Sequence, residues 1–171
     1  MSQQGVDSQT AVEVVYRSSV RVEAKPGGIK LVSLPAEPAP VPMGMHGAIA
    51  KHYKLAEGSY TPHASTLDYV VGATAGCLAG TLGRALTMRK IPVGEGRLLV
   101  EAVGELEADD GVLVIRRIRV VAHLKADASH REAAQQVTAS YALKCPVYRS
   151  LHQAIDITTE LDFQPTNPIQ I

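Results

Sequence analysis

The sequence has few aromatic residues: it contains no Trp, one Phe and six Tyr, which together make up 4% of its 171 residues. Hydrophobic residues still account for 46% of the chain, so we expect a core built mainly from Val, Leu, Ile and Ala. Lys and Arg balance Asp and Glu at 17 each. Because there is no basic excess, nothing indicates a nucleic-acid partner or a polybasic membrane anchor.

No apolar stretch is long enough to span a bilayer. The longest weakly charged one, residues 69–83, has about fifteen residues, against the roughly twenty that a transmembrane helix needs. The first ten residues, MSQQGVDSQT, are polar and lack the apolar segment of a signal peptide. We therefore expect a cytoplasmic protein with a disordered leader over residues 1–10 and a single domain over residues 11–171.

The first third of the chain is predicted to form short strands. Alternating hydrophobic residues over 12–24 indicate a half-buried strand, and KPGG then turns the chain into a second strand, IKLVSL. Four prolines over residues 35–42 are expected to break regular structure. The stretch GAIAKHYKL, residues 47–55, is predicted to be an edge strand.

The rest of the chain is predicted to contain two helices and three strands. A long helix is expected from Ser65, with Asp68 completing a capping box, to about residue 90, because Pro92 ends it. A hairpin turning at ADDG follows, and the residues of its second strand that are predicted to face inward are Val114, Ile118, Val120, Ala122 and Leu124. After it come a helix over residues 129–144 and the strand AIDITTELDF. This order favours an α+β fold with a mainly antiparallel sheet.

Four glycines lie inside the long helix, although each costs about 1 kcal/mol relative to alanine. Gly72, Gly76 and Gly80 are four residues apart, so they form one ridge of the helix. A ridge without side chains lets another backbone approach closely. We expect this ridge to pack against a second helix, from the same chain or from a partner subunit; the alternative is a flexible helix that lines a cavity.

The chain contains only two cysteines, Cys77 in the long helix and Cys145. A lone buried cysteine usually packs as a small hydrophobic residue. Cys145, however, precedes Pro146 at a predicted helix start, where free N–H groups and the helix dipole favour a thiolate. The pair suits a redox cycle in which one thiol becomes a sulfenic acid and the other condenses with it. A hydrolase pairing a cysteine with His63 or His152 is an alternative.

Metal binding is not expected. No C-x-x-C motif occurs, and the six histidines are scattered without the spacing of metal ligands.

Together these elements resemble the OsmC/Ohr family of thiol peroxidases. The resemblance rests on the small-residue helix TLDYVVGATAGC, on ALKCPVYRSLHQ around the second cysteine and on the strand AIDITTELDF. The element order fits from about residue 12 to residue 163. The resemblance implies an intertwined homodimer with two long central helices, active sites at the subunit interface, and no metal or prosthetic group.

The resemblance also implies reduction of organic hydroperoxides in oxidative-stress defence. Cys77 would be the attacking thiolate and Cys145 the resolving thiol, and a dithiol such as a protein-bound lipoyl group, or a small thiol, would reduce the disulfide. In the family, a glutamate at the helix start orients an arginine that stabilises the thiolate. Asp68 is the nearest carboxylate to that position here, but it lies on the opposite side of a regular helix from Cys77. Its alternative interpretation is a capping residue with no catalytic role.

The arginine that would support the thiolate has several candidates. In the family it follows the first strand, which favours Arg21, with Arg17 and Lys25 close to it in the sequence; their alternative interpretation is a solvated strand face. Arg84, seven residues after Cys77, lies on the same face of the helix. An alternative function on the same fold is a small-ligand binding or carrier protein whose thiols are packing residues.

Overall fold

The computed structural model describes residues 13–166, so the predicted leader over residues 1–10 lies outside the described residues. The chain divides into two compact units, Met1–Ala64 and Ser65–Ile171. Each unit contains one three-stranded sheet. The single domain expected over residues 11–171 stays a prediction.

The first unit is a small antiparallel sheet with one short helix. A 3₁₀ turn joins its first two strands, and the sheet order follows the chain. Its elements are β1 (Arg21–Ala24), β2 (Lys30–Ser33), β3 (Val41–Met43) and α1 (Gly47–His52).

Two predictions for this unit are wrong. Of the described part of residues 12–24, only β1 is a strand, and it is exposed rather than half-buried. Its partner β2 ends two residues before Pro35, which has no N–H to donate, so only four residue pairs form. The first six residues of GAIAKHYKL form helix α1 instead of a strand; the prediction failed because a short apolar run does not distinguish the two. The third strand of this sheet is β3, which lies at one edge, where Pro42 is tolerated.

The second unit packs one long helix against one face of a sheet. Its strands lie in the order β4-β5-β6, with β4 and β5 antiparallel and β5 and β6 parallel. Three of the four strand pairs in the two sheets are antiparallel, so the predicted α+β class with a mainly antiparallel sheet is confirmed. The elements are α2 (Thr66–Thr87), β4 (Leu98–Asp109), β5 (Val112–Asp127), α3 (Arg131–Thr138), α4 (Pro146–Leu151) and β6 (Asp156–Thr166).

Helix α2 begins as the sequence predicts. The Ser65 hydroxyl accepts a hydrogen bond from the Asp68 N–H at 3.2 Å, and Asp68 Oδ2 accepts one from the Ser65 N–H at 2.6 Å. The face of α2 that packs on the sheet repeats every four residues, and it consists of Thr74, Leu78, Leu82 and Leu86, all fully buried. No helix among residues 13–166 combines the length and hydropathy that a membrane span requires.

The core lies between α2 and the inner face of the sheet. The β5 residues facing it match the predicted alternation from Ile118 to Leu124. Towards the start of β5 the inward residue is Ile115 rather than the expected Val114, because a register shift between Glu105 and Leu106 reverses the alternation.

The helix expected over residues 129–144 is shorter than predicted. It ends at Thr138 because Ser140 leaves the helical conformation, and a 3₁₀ turn, Tyr141–Lys144, follows. This break lets the Tyr141 side chain enter the core, where it is 3% exposed. The turn and α4 both contact α2, and they bring Cys145 to that helix.

Candidate functional site

The two cysteines meet where α4 packs on α2. Cys77 lies in the middle of α2 and is partly exposed, whereas Cys145, immediately before α4, is fully buried. Their side chains are close enough for Cys145 to raise the pKa of Cys77. The fold thus brings together two thiols that are far apart in the sequence.

The surroundings of Cys77 favour its neutral thiol. Burial raises the pKa of Cys77, and the hydrogen bond with Cys145 and the charge of that neighbouring sulfur raise it further. The backbone N–H of Val147 lowers the pKa of Cys77 by hydrogen bonding to its sulfur, but its effect is smaller than that of burial.

The helix start at α4 therefore acts on a different sulfur than the sequence suggests. We expected the free N–H groups to face the Cys145 thiol, but Cys145 makes no side-chain capping hydrogen bond. Val147, in the first turn of α4, hydrogen bonds to Cys77 instead. The reason is tertiary: α4 packs on α2 so that Cys77 lies beside its first turn.

An open cavity of about 610 Å³ lies beside Cys77. Cys145 does not line it, so a molecule entering the cavity meets Cys77 first. One wall belongs to α2 and the other to the segment before and at the start of α4. The lining includes Gly76, Cys77, Gly80, Arg84, Ala85, Met88, Tyr141 and Lys144.

Two cations line this cavity without carboxylate partners. Arg84 and Lys144 are both exposed, and within residues 13–166 neither forms an ion pair. Lys144 was not among the residues singled out from the sequence, because its position opposite α2 depends on the break after α3.

Tyr141 is a second residue that sequence reasoning missed. Its side chain is buried in the cavity wall, and burial raises its pKa while a hydrogen bond with Thr159 acts in the opposite direction. The phenol is therefore neutral at physiological pH. No pattern in the sequence distinguishes this tyrosine from the other five.

The remaining predicted site residues lie elsewhere. Asp68 closes the capping box and lines a different cleft, beside Gly72 and Gly104. Arg21 is exposed on β1 of the first unit, and Lys25 Nζ pairs with Glu23 at 2.5 Å. The roles of Asp68 and Arg21 stay predictions. Among residues 13–166, no group of three or more His, Cys, Asp or Glu side chains is arranged to hold a metal ion.

A family model described as OsmC-like protein matches residues 58–160. The chain belongs to the OsmC-like family. The matched residues of this OsmC-like protein include both cysteines, the whole of α2 and the cavity between α2 and α4. No curated protein matches the sequence closely enough to be counted as a relative.

Solved structures share the fold at low identity. An OsmC-like protein from Mycoplasma pneumoniae has a TM-score of 0.66 at 12% identity, covering 90% of this chain and 100% of that one. An organic hydroperoxide resistance protein from Elizabethkingia anophelis has a TM-score of 0.65 at 14% identity, covering 90% of this chain and 100% of that one. OhrB, the organic hydroperoxide resistance protein of Bacillus subtilis, has a TM-score of 0.59 at 15% identity, covering 87% of this chain and 100% of that one. These likenesses establish the fold.

Proposed function

We propose that this OsmC-like protein is a thiol-dependent peroxidase that reduces organic hydroperoxides in the cytoplasm through Cys77 and Cys145. The observation that carries the proposal is the contact between the two thiols at the wall of an open cavity. The names of structural neighbours such as OhrB of Bacillus subtilis support the choice of substrate.

The reaction follows from which sulfur is reachable. The Cys77 thiolate attacks the outer oxygen of the hydroperoxide, the O–O bond breaks, and the alcohol leaves after taking up one proton. Cys77 is then a sulfenic acid, and the Cys145 thiol displaces its hydroxyl group as water to form a disulfide. A dithiol of the lipoyl type, or alternatively a small thiol, then reduces the disulfide by exchange and returns both cysteines to thiols. Because Cys145 is fully buried, we assign it the resolving role.

Ionisation of Cys77 needs a nearby positive charge, because burial raises its pKa. Following the family resemblance, we propose Arg21 for this role, with Asp68 as the carboxylate that orients it. Lys25 is a weaker candidate since it already pairs with Glu23. In the assembled protein such a cation would oppose the effect of burial and increase the thiolate fraction.

We further propose that the protein acts as a homodimer in which α2 lies at the interface. A Cβ built on Gly72, Gly76 or Gly80 meets nothing within 4 Å, so this ridge is uncovered by the described chain. A second copy of α2 seated on the ridge would border the cavity beside Cys77, because Gly76 and Gly80 also line it.

The test compares the two cysteine variants with cumene hydroperoxide as substrate. Cys77→Ser should abolish peroxide consumption. Cys145→Ser should support one oxidation of Cys77 and then stall, giving a sulfenic or over-oxidised species by mass spectrometry. The unaltered protein should lose two thiols per chain and gain an intramolecular disulfide. Equal, mild effects of both substitutions would contradict the assigned roles.

One observation favours a second candidate, a small-ligand binding or carrier protein. The raised pKa of Cys77 suits a packing residue better than a nucleophile. Thiol titration before and after one equivalent of cumene hydroperoxide separates the two functions: no change at either cysteine supports the carrier, and loss of both thiols supports the peroxidase.

A further inference from the structure

Thr81 lies about one helical turn after Cys77 and lines the same cavity. Its hydroxyl donates a hydrogen bond to the Cys77 carbonyl oxygen at 2.9 Å. A threonine hydroxyl has one proton to donate and two lone pairs that can accept. Because its proton is held by the Cys77 backbone, the Thr81 hydroxyl can act towards the cavity only as an acceptor.

The other polar side chains of the cavity wall do not offer this chemistry. Arg84 and Lys144 carry only donors and have no lone pair that could accept a hydrogen bond. Tyr141 has an accepting oxygen, but its side chain is 3% exposed and its hydroxyl is engaged with Thr159. Among the described residues that line the cavity, Thr81 is therefore the oxygen acceptor that an entering O–H group meets.

The spacing of Thr81 and Cys77 fits one oxygen atom between their side chains. Residues four apart on a helix share one face, with about 5–6 Å between their Cβ atoms. An O–H···O hydrogen bond spans about 2.7–2.8 Å, and reacting atoms in position for attack lie about 3–3.5 Å apart. One oxygen atom can therefore donate a hydrogen bond to Thr81 while it contacts the Cys77 sulfur.

We propose that Thr81 accepts a hydrogen bond from the hydroperoxide O–H group and holds the outer oxygen against the Cys77 sulfur. This inference rests on the proposed peroxidase function. The Cys77 thiolate forms an S–O bond to the outer oxygen, the O–O bond breaks, and the alkoxide takes up a proton and leaves as the alcohol. The proton of the O–H group stays on the transferred oxygen, so the Cys77 sulfenic acid keeps the same hydrogen bond to Thr81.

The first experiment measures how fast cumene hydroperoxide oxidises Cys77, followed by mass spectrometry of quenched samples. Valine has the shape of threonine but no acceptor, so in Thr81→Val the second-order rate constant should fall about fivefold, which is the value of one hydrogen bond. Methyl methanethiosulfonate modifies the same thiolate but carries no O–H or N–H group, so its rate constant should be unchanged. Thr81→Ser keeps the hydroxyl and should restore the rate constant with cumene hydroperoxide.

Thr87→Val is the matched control for this substitution. The Thr87 hydroxyl makes the same type of hydrogen bond within α2, to the Gly83 carbonyl oxygen at 2.8 Å, but Thr87 does not line the cavity beside Cys77. Its loss should leave both rate constants unchanged.

Two results would overturn the inference. One is a rate constant with cumene hydroperoxide that Thr81→Val does not lower. The other is an equal fall with both reagents, which would show that Thr81 acts on the Cys77 thiolate or on the helix instead of on the hydroperoxide.

A binding measurement separates this inference from the peroxidase proposal. Cys77→Ala has no thiol at this position to react, so calorimetry can compare cumene hydroperoxide with cumyl methyl peroxide, in which a methyl group replaces the O–H proton. Cys77→Ala should bind the hydroperoxide about fivefold more tightly, and Cys77→Ala/Thr81→Val should lose this preference. If the unaltered protein consumes no hydroperoxide but the preference is present, the peroxidase function is wrong and the role of Thr81 as acceptor stands. If Cys77→Ala binds both compounds equally, the role of Thr81 is wrong.

Discussion

Two faces of the second unit are left uncovered by the described chain, and they differ in chemistry. The outer face of the sheet carries charged side chains that pair across strands: Arg119 with Glu160, and His123 with both Asp162 and Glu101. The uncovered face of α2 carries the glycine ridge, Gly72, Gly76 and Gly80, together with Ala73, and its charged side chains, Asp68 and Arg84, lie only beyond the two ends of the ridge.

The difference indicates what each face meets. Exposed ion pairs contribute little to stability, but they keep a sheet face compatible with water. The ridge has no such adaptation, and its glycines cost helix stability, about 1 kcal/mol each relative to alanine. A face that weakens its own helix and carries no charged side chain from Gly72 to Gly80 gains from contact with another subunit, which is why we place the proposed dimer interface there.

The largest expected effect comes from filling the ridge. Gly76→Leu introduces a side chain where two backbones are proposed to meet, so the dimer should dissociate, measured as a halved mass in sedimentation equilibrium. Within one chain the new side chain meets nothing, so the monomer should unfold at an unchanged or slightly higher denaturant concentration. A dimer of unaltered affinity would show that the ridge is not the interface.

A smaller effect is expected where α2 is covered. A Cβ on Gly104 of β4 would clash with Val71 Cγ2, so Gly104→Ala overpacks the contact between helix and sheet. We expect a loss of about 1–3 kcal/mol in the free energy of unfolding, measured with urea. Adding Val71→Ala should recover part of that loss. If Gly104→Ala lowers the free energy of unfolding of the monomer no more than Gly76→Leu does, then the side of α2 that faces β4 is not more tightly packed than the glycine ridge.

The smallest effect belongs to the outer face of the sheet. The hydrogen bond with Asp162, and a second one with Glu101, raise the pKa of His123. A raised folded-state pKa means that this contribution to stability is present below the unfolded pKa of about 6.5 and disappears as the pH rises through the folded pKa. The free energy of unfolding, measured with urea at pH values below and above these pKa values, should depend less on pH in His123→Gln than in the unaltered protein. The same pH dependence in both proteins would contradict this prediction.

Much of the second unit could be predicted from the sequence because its signals are local. The capping box at Ser65, the proline after α2 and the alternation of β6 each depend on residues close in the chain. The first unit was predicted less well: β3 contains Pro42, and α1 lies in a segment whose apolar run suits either structure. Partner strands and packing decided those elements.

The candidate site was only partly predictable for the same reason. Cys77, Cys145 and Arg84 are distinctive by residue type and spacing. Lys144 and Tyr141 reach the cavity only because the chain leaves the helix at Ser140 and turns back to α2. The break depends on burying the Tyr141 side chain, which is a long-range effect.

The sequence by itself determined that a small-residue helix carries one cysteine and that the second precedes a helix start, because residue type and spacing encode both. Only the tertiary structure decided which sulfur hydrogen bonds to the first turn of α4, which one is reachable from the cavity, and that burial opposes the ionisation of Cys77. Hydrogen bonds and burial between α2 and α4 depend on how the two helices pack, and no local pattern contains that information.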